Sequence, residues 1–590
     1  MKLPNILQTR KFKREISAFG GLNTTSNYFE GEIKECRGIS HRNFPLLTQP
    51  LALIRDEFYK SPQGIAFSEK ECVVDDGAVY YGREKVGNVA PGDKEIAVMG
   101  NMILIFPDKL CYNTETKVFE SLEAEYIFED TTVDFTANSI SVPKEKWKTE
   151  VSEEELEFYE DEKLSVYSSA EISGGSIKLG KYENVLAGRI LPGTIIKDKC
   201  TNRQYRKILS SLNNDSGKCI VKTELYTIRN EHENVFSNFR KGDGIEISGC
   251  VKEANNKILV VKDVEEVKLT FDEEALSEAL ETSKITIKRK IPDFSCVCVH
   301  NNRLWGCEKN TIYASKLGDP YNFFVYKMLS TDSYSVSANS REDFNACVSY
   351  GNYCIFFKSD SVFKLYGDKP SNFQLVESLG RGIDIHGKNS IVNIASEIFY
   401  AGIGGVYSFY GGLPNLISGK IENIKMENCC GGTDGKLYYI AADTPKGRQL
   451  FVYDIKKALW SVYGNTKIKS FSYHNGVLYA IDDNGLYHFS DNEVMGDEWF
   501  VTLHPFSENY HLKKKYTKIW ITAELFENAW IKAEIKRDND SWEQVMVRYG
   551  KNKEHITIPI GVGKCHEITL RISGRGKCNL FSIVREFVIN

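Results

Sequence analysis

At 590 residues the chain is roughly four times the 150 residues typical of one domain, which excludes a single small module. With 42% hydrophobic and 26% charged residues, a mean hydropathy of −0.34 and a net charge of −5, it is neither globally disordered nor built of membrane spans, and it lacks the basic footprint of a dedicated nucleic-acid binder. The 31 Tyr, 32 Phe and 45 Gly, against 15 Pro and 7 Met, favour strands and tight turns, so the fold is expected to be all-β.

The first stretch, 1–60, shows no clean period and reads as an extended arm that either closes a ring or reaches a neighbour. Phe19-Gly20-Gly21-Leu22-Asn23 is expected to be a turn and Asn43-Phe44-Pro45-Leu46-Leu47 a strand-edge segment. No apolar core of signal-peptide length precedes the first charges, and the longest apolar stretch, Ile96 to Phe106, is interrupted by Gly100 and Asn101. Neither a secretion signal nor membrane insertion is expected.

Beyond the arm a turn followed by an apolar-aromatic strand recurs seven times. It appears at Asp76-Gly77, Gly100-Asn101, Asn301-Asn302, Gly351-Asn352, Ser396-Glu397, Asp434-Gly435 and Asn475-Gly476. Asn-Gly and Asp-Gly supply the positive φ angles that tight hairpins need. In several repeats a further strand start follows, at Ile312-Tyr313, Val362-Phe363, Val406-Tyr407, Leu450-Phe451 and Leu486-Tyr487. From residue 302 onward the spacing is about 40 to 50 residues, the period of propeller blades, so a β-propeller of about seven blades is expected over 61–126 and 291–492.

The gap between the second and third repeats is too long for one blade, so 127–290 reads as an insertion: an acidic loop followed by a small β-barrel-like domain. The loop carries Glu153, Glu154, Glu155, Glu157, Glu160, Asp161 and Glu162 and is expected to be solvated. Lys218 to Leu225 and Lys257 to Val261 read as strands, and Gly242-Asp243-Gly244 as a hairpin turn rather than a nucleotide loop, since the third glycine and the helix are missing. The one helical window is Asp272 to Thr282. From 493 to 590 the pattern becomes strict alternation, as in Ile531, Ala533 and Ile535 against Lys532, Glu534 and Lys536, and predicts a C-terminal β-sandwich.

Motifs for chemistry are scarce. The 15 cysteines are an odd number, scattered and never spaced as CxxC, and read as reduced, mostly buried thiols. Cys296, Cys298 and His300 share one strand face and Cys307 follows closely, but a packed sheet face explains them better than zinc does. The chain has no G-x-S-x-G, H-E-x-x-H or P-loop pattern and no full Asp-box. Lys513-Lys514-Lys515-Tyr516 with Lys518 and Trp520 reads as a solvent-facing strand edge. No catalytic, cofactor-binding or metal residue is expected, no cofactor is implied, and the chain is not expected to be an enzyme.

One segment carries a resemblance. Asn301-Asn302-Arg303-Leu304-Trp305, then Tyr313-Ala314-Ser315-Lys316-Leu317-Gly318-Asp319-Pro320-Tyr321-Asn322-Phe323, resembles a signature of tailed-bacteriophage virion proteins, the β-propeller tail accessory or head-completion and stabilisation family of phages and prophages in Firmicutes. Phe19-Gly20-Gly21-Leu22-Asn23, Phe44-Pro45-Leu46-Leu47 and the closing sandwich agree with it, whereas the insertion departs from the short-tailed members. The resemblance implies a structural protein of the head–tail junction or tail, assembled in the bacterial cytoplasm into the virion. It further implies a homo-oligomeric ring around the DNA conduit that docks portal, connector or tail subunits and touches packaged DNA passively, through neutral or acidic residues. The alternatives are a receptor- or carbohydrate-binding tail protein and a polysaccharide depolymerase.

Overall fold

The computed structural model describes residues 10–129 and most of 133–589. Within 144–235 only the strands are described, and 266–267, 272–275, 277–278, 339–341, 384, 495, 551–552 and 562 are left aside. The described residues are all-β: strands and three-residue 3₁₀ turns, with no α-helix.

Seven four-stranded antiparallel sheets carry the repeat. Their first strands are Pro62–Phe67, Glu95–Met99, Cys296–His300, Ala346–Tyr350, Val392–Ile394, Glu427–Thr433 and Ser470–His474, and we number the sheets one to seven in that order. Each of the seven turn signals is a hairpin with left-handed backbone. Asp76, Gly77, Gly100, Asn301, Asn302, Gly351, Ala395, Ser396, Gly435, Asn475 and Gly476 all have φ between 47° and 85°, the region that Gly and Asn enter most cheaply. Six of these hairpins join the first strand of a sheet to the second. The Asp76-Gly77 hairpin instead joins the second strand of sheet one, Glu71–Asp75, to the third, Ala78–Tyr81, so the first repeat is one strand out of phase.

Consecutive sheets share apolar cores: Val74 and Ile105 between one and two, Leu104 and Val297 between two and three, Trp305 and Phe356 between three and four, Phe357 and Tyr400 between four and five. Phe399 and Tyr438 join five to six, Tyr439 and Phe489 six to seven, and Ile65 and Ile481 seven to one. The fourth strand of sheet seven is Leu51–Asp56, paired antiparallel with Gly485–Val494. A segment from the beginning of the chain thus completes the last sheet.

The rest of the arm is not free. Arg10–Ile16 pairs with Cys578–Ile589, and Ile33–Arg37 with Glu498–Leu503, so each sheet of the sandwich takes one edge strand from the arm. The two sandwich sheets enclose Ile519, Ile521, Ala523, Ile531, Ala533, Ile535, Leu570 and Ile572, all about fully buried, as the alternation predicts. Phe19-Gly20-Gly21-Leu22-Asn23 runs against sheet six: Leu22 N–H donates to Trp460 O at 2.7 Å, and a Cβ on Gly21 would lie 2.9 Å from Trp460 N. Only glycine permits that approach. Asn43-Phe44-Pro45 is a turn rather than the expected strand-edge segment, and only Leu47, at the end of the motif, forms an antiparallel bridge, with Leu580.

The insertion builds its own sheet in the order 124–128, 285–289, 244–248, 258–265, 268–271, 218–229, 133–143, 279–281, with 208–213 also on 218–229, over a core of Phe128, Phe135, Phe236, Ile245 and Phe271. Three expectations are corrected. The described end of the helical window, Ala279–Glu281, is a strand on Val133–Phe135, because Ala279 packs against the insertion's core. In the acidic run, Glu155–Phe158 is a strand paired in parallel with Ile195–Asp198; the rest of that run lies outside the described residues. Lys514, expected on a wet face, is 1% exposed, and its ammonium donates to Tyr510 O at 2.9 Å and to His566 O. Burial holds its pKa below the usual lysine value.

Candidate functional site

The signature segment folds into an interlocked seam. Arg303, 1% exposed, donates from its guanidinium to Ser315 O at 2.7 Å, Asp332 O at 2.5 Å and Ser330 O at 2.7 Å. Burial holds its pKa below the ordinary arginine value, and the nearby Asp332 opposes that shift. Ser315 Oγ accepts from Leu304 N–H at 3.0 Å and donates to Lys316 O at 2.9 Å. Gly318, at φ +74°, lets its N–H reach Asn302 O at 2.8 Å, and Trp305 donates from Nε1 to His300 O at 3.2 Å.

The second half of the signature reaches out of sheet three. Asn322, 2% exposed, donates from Nδ2 to Asp319 at 2.8 Å and to Asp243 Oδ1 at 3.1 Å, while its Oδ1 accepts from Gly244 N–H at 2.8 Å. Asp243 in turn pairs with the buried Arg289 at 2.5 Å, and Arg289 donates from Nε to Leu122 O at 3.0 Å. Beside it the Tyr321 hydroxyl donates to Glu120 Oε1 at 2.7 Å, and the Arg240 guanidinium lies 4.0 Å over the Tyr321 ring and 2.5 Å from Glu120. Gly242-Asp243-Gly244 is a turn but not the expected hairpin, since Gly244–Ser248 pairs with Ile258–Glu265 and Ile285–Arg289 rather than with the preceding strand, and it is the corner that locks the insertion onto sheets two and three. The sequence reading missed Asp243, Arg240 and Arg289 as partners of the signature. The signal was a buried-type pattern of Arg between Ile287 and Ile291, which local periodicity cannot distinguish from a wet strand edge.

A second site lies where the first strands converge. A cavity of about 330 Å³ is lined by residues on or beside all seven of them: Gln63 and Ile65, Asp93 to Ile96, Cys296, Asn345 to Val348, Lys388, Asn389 and Ile391, Gly431 and Lys469 to Phe471. This is the size of a small-molecule pocket. Lys469 pairs with Asp93 at 3.0 Å and Asp483 at 2.9 Å, and Lys94 with Asp108 at 2.7 Å. Glu95 is open to the cavity and accepts from Val297 N–H at 3.0 Å. Desolvation by the surrounding protein pushes its pKa up to about 7; the charge of Cys296 adds to the rise, and Val297 N–H and Lys388 oppose it.

Behind the cavity wall the structure gathers five thiols between sheets three and four: Cys296, Cys298, Cys307, Cys347 and Cys354. Cys296 stands opposite Cys307 within sheet three, and Cys347 and Cys354 lie on the first two strands of sheet four. His300 does not join them; its Nδ1 sits 2.9 Å from Ser349 Oγ. Cys347 and Cys354 come from the next repeat, so no spacing within one repeat could have pointed to them. Among the described residues all thirteen cysteines are free thiols, and no group of three His, Cys, Asp or Glu is placed to hold a metal ion.

No family model matches the chain, and no curated protein does. Among solved structures, an exported protein of Bacteroides fragilis is 10% identical over 42% of this chain and 92% of its own, with a TM-score of 0.23. The extracellular domain of a one-component system from B. thetaiotaomicron is 9% identical over 92% and 95%, at 0.19. A glycoside hydrolase family 43 arabinoxylan arabinofuranohydrolase from Bacillus subtilis is 7% identical over 63% and 77%, at 0.17. Likenesses this slight transfer neither a site nor an activity.

Proposed function

We propose that this chain is a structural protein of a tailed-bacteriophage particle, at the head–tail junction or in the tail. In this reading the seven sheets are the blades of one closed propeller, sealed by Leu51–Asp56 on the last blade, and the protein acts by shape and multivalent contact. The carrying observation is the fate of the signature: Arg303, Ser315, Asp319 and Asn322 are all taken up in holding sheet three, its loops and the insertion together. That is what a load-carrying hub needs from its polar residues, and it leaves none of them for turnover.

The central cavity of about 330 Å³ fits a small molecule and not a duplex. A DNA conduit in this reading is therefore enclosed by several copies standing side by side, with portal, connector or tail subunits above and below. The test is electron microscopy of particles carrying a tagged copy. Label in a ring at the neck or along the tail is expected, and particles that lack the protein would overturn the reading. Purified protein is expected to bind DNA weakly; tight, steeply salt-dependent binding would contradict passive contact.

A second reading has one observation in its favour. Gln63, Asn345 and Asn389 line the cavity together with Asp93 and Glu95, residue types suited to the hydroxyls of a saccharide. Specific binding on a glycan array would favour a receptor- or carbohydrate-binding tail protein. Loss of host-surface polysaccharide on incubation with the purified protein would favour a depolymerase.

A further inference from the structure

The loop after the signature ends in an apolar tip that the described residues leave uncovered. Tyr326 is 53% exposed, Met328 103% and Leu329 56%, and Leu317, 45% exposed, stands beside them with its N–H on Thr331 O at 2.9 Å. The tip is built stiffly. The buried Asp332 carboxylate accepts from Lys327 N–H and from Leu329 N–H at 3.0 Å, the buried Arg303 holds Ser330 O and Asp332 O, and the Tyr326 hydroxyl donates to Phe323 O at 3.1 Å. Between these clamps Met328 has φ +63°, a left-handed conformation that a residue with a side chain adopts only at a cost. Water gains nothing from a rigid, strained display of neighbouring large apolar side chains; a partner surface does.

A surface that suits the tip lies on the same chain. Between sheets five and six there is a cavity of about 470 Å³ lined by Ile403, Val406, Ile424 and Met426, with Gly404 and Gly405 adding backbone and no side chain. This is the size of a pocket that buries a small molecule. Ile403 is 42% exposed there. Of the charged residues in the lining, Lys425 pairs with Glu427 at 2.6 Å, which leaves the exposed Glu422 as the uncompensated charge. The one charged side chain from 326 to 331 is Lys327, of the opposite sign. Sheet four, with a shared core on either side, stands between the tip and the cavity, so a copy does not fill its own.

We propose that the tip of one copy, Tyr326 to Leu329, docks in the cavity between sheets five and six of a second copy, with Met328 and Leu329 against its apolar lining and Lys327 toward Glu422. The proposal rests on the reading that several copies stand side by side around a conduit, and it names the contact between them. The occupant is argued from complementarity: an apolar tip with one positive charge and an apolar hollow with one unpaired negative charge. Because the two surfaces differ, the contact is head to tail. Such contacts repeat from copy to copy and either close into a ring or run on as a filament. The clamps on the tip reduce the conformational freedom lost on docking, which favours a tight contact from few side chains.

The test places the photo-crosslinker p-benzoylphenylalanine at position 328 of the full chain, mixes it with isotope-labelled unaltered chain, and maps the irradiated digest by mass spectrometry. A crosslink from 328 to a labelled peptide within 401–406 or 421–427 is expected. No crosslink between chains, or one to any other surface of the second copy, overturns the proposal. Light scattering of the unaltered chain is expected to show a species larger than the monomer. Met328→Glu and Ile403→Glu, both at exposed positions, should each raise the concentration for half-assembly by about tenfold or more while keeping the parent's midpoint in urea. A monomer at every concentration, or folded variants that assemble like the parent, overturns the proposal. The virion reading fails separately. A 328 crosslink with particles that lack the tagged protein upholds the contact and sinks that reading, whereas labelled particles that take up Met328→Glu as well as the parent uphold the reading and sink the contact.

Discussion

At the signature seam the central polar side chains are matched inside the protein: Arg303 by three carbonyls, Asn322 by Asp319, Asp243 and Gly244, and Asp243 by Arg289. At the central cavity Glu95, on the first strand of sheet two, instead lines open space, and its carboxyl, which accepts from Val297 N–H, has its pKa pushed up to about 7. Satisfied networks rigidify, and partly satisfied groups lining a cavity are where ligands and reagents act. The two regions separate what holds this molecule together from what is left to do chemistry. Removing a seam group costs stability because its partner stays buried without it, whereas neutralising a cavity group relieves a charge that the fold already strains against.

The largest effect is expected at Asp243. Asp243→Ala leaves the Arg289 guanidinium buried without its carboxylate and takes an acceptor from Asn322, so denaturant unfolding should show a loss of about 3–5 kcal/mol. Asn322→Ala in the same background should add less than its own single effect, because the two residues share one network. Full additivity would break the contrast by showing that the seam is a set of independent bonds.

A second strain point lies on the arm, and its sign is opposite to that of the cavity. His41 is 3% exposed, its Nε2 is 2.8 Å from Gly20 O, and burial pushes its pKa down to about 4. The unfolded chain, with an ordinary histidine pKa of about 6.5, binds the proton more readily than the folded one between these values. Stability from this group is therefore fully present above about pH 6.5 and is lost as pH falls toward 4, by at most about 3 kcal/mol. Urea midpoints across that range should fall in the unaltered protein and stay flatter in His41→Gln; equal slopes would remove His41 from the account.

Local signals were legible where the physics is local. Asn475-Gly476 and its counterparts must adopt positive φ wherever the chain goes, and Ile531, Ala533 and Ile535 must share a face in any strand, so hairpins and sandwich strands could be read directly. Partnerships across hundreds of residues could not. Nothing near Leu51 announces Gly485–Val494, and nothing near Arg10 announces Cys578–Ile589. The alternation in 513–518 gave no warning that Lys514 would turn inward onto two carbonyls. The thiol cluster was half visible: Cys296, Cys298 and Cys307 stand out in the sequence, but Cys347 and Cys354 enter only through packing of the next sheet, and His300 leaves for Ser349.

The smallest of the expected effects sharpens the contrast most. For Glu95 the folded pKa of about 7 lies above the ordinary carboxylic value near 4.5, so between those values the folded protein holds a proton that the unfolded chain has lost. Stability from this group therefore falls as pH rises through the window, the reverse of His41. Because the carboxylate is open to the cavity, the cost of ionising it is much reduced by solvent, to on the order of 1 kcal/mol. Glu95→Gln keeps the shape and removes the charge, so it should match the unaltered protein near pH 5 and exceed it at pH 8, with a higher midpoint in urea. A variant less stable than the parent at pH 8 would mean that the carboxylate is a structural partner like those of the seam, and the division between the two regions would fail at the residue that defines it.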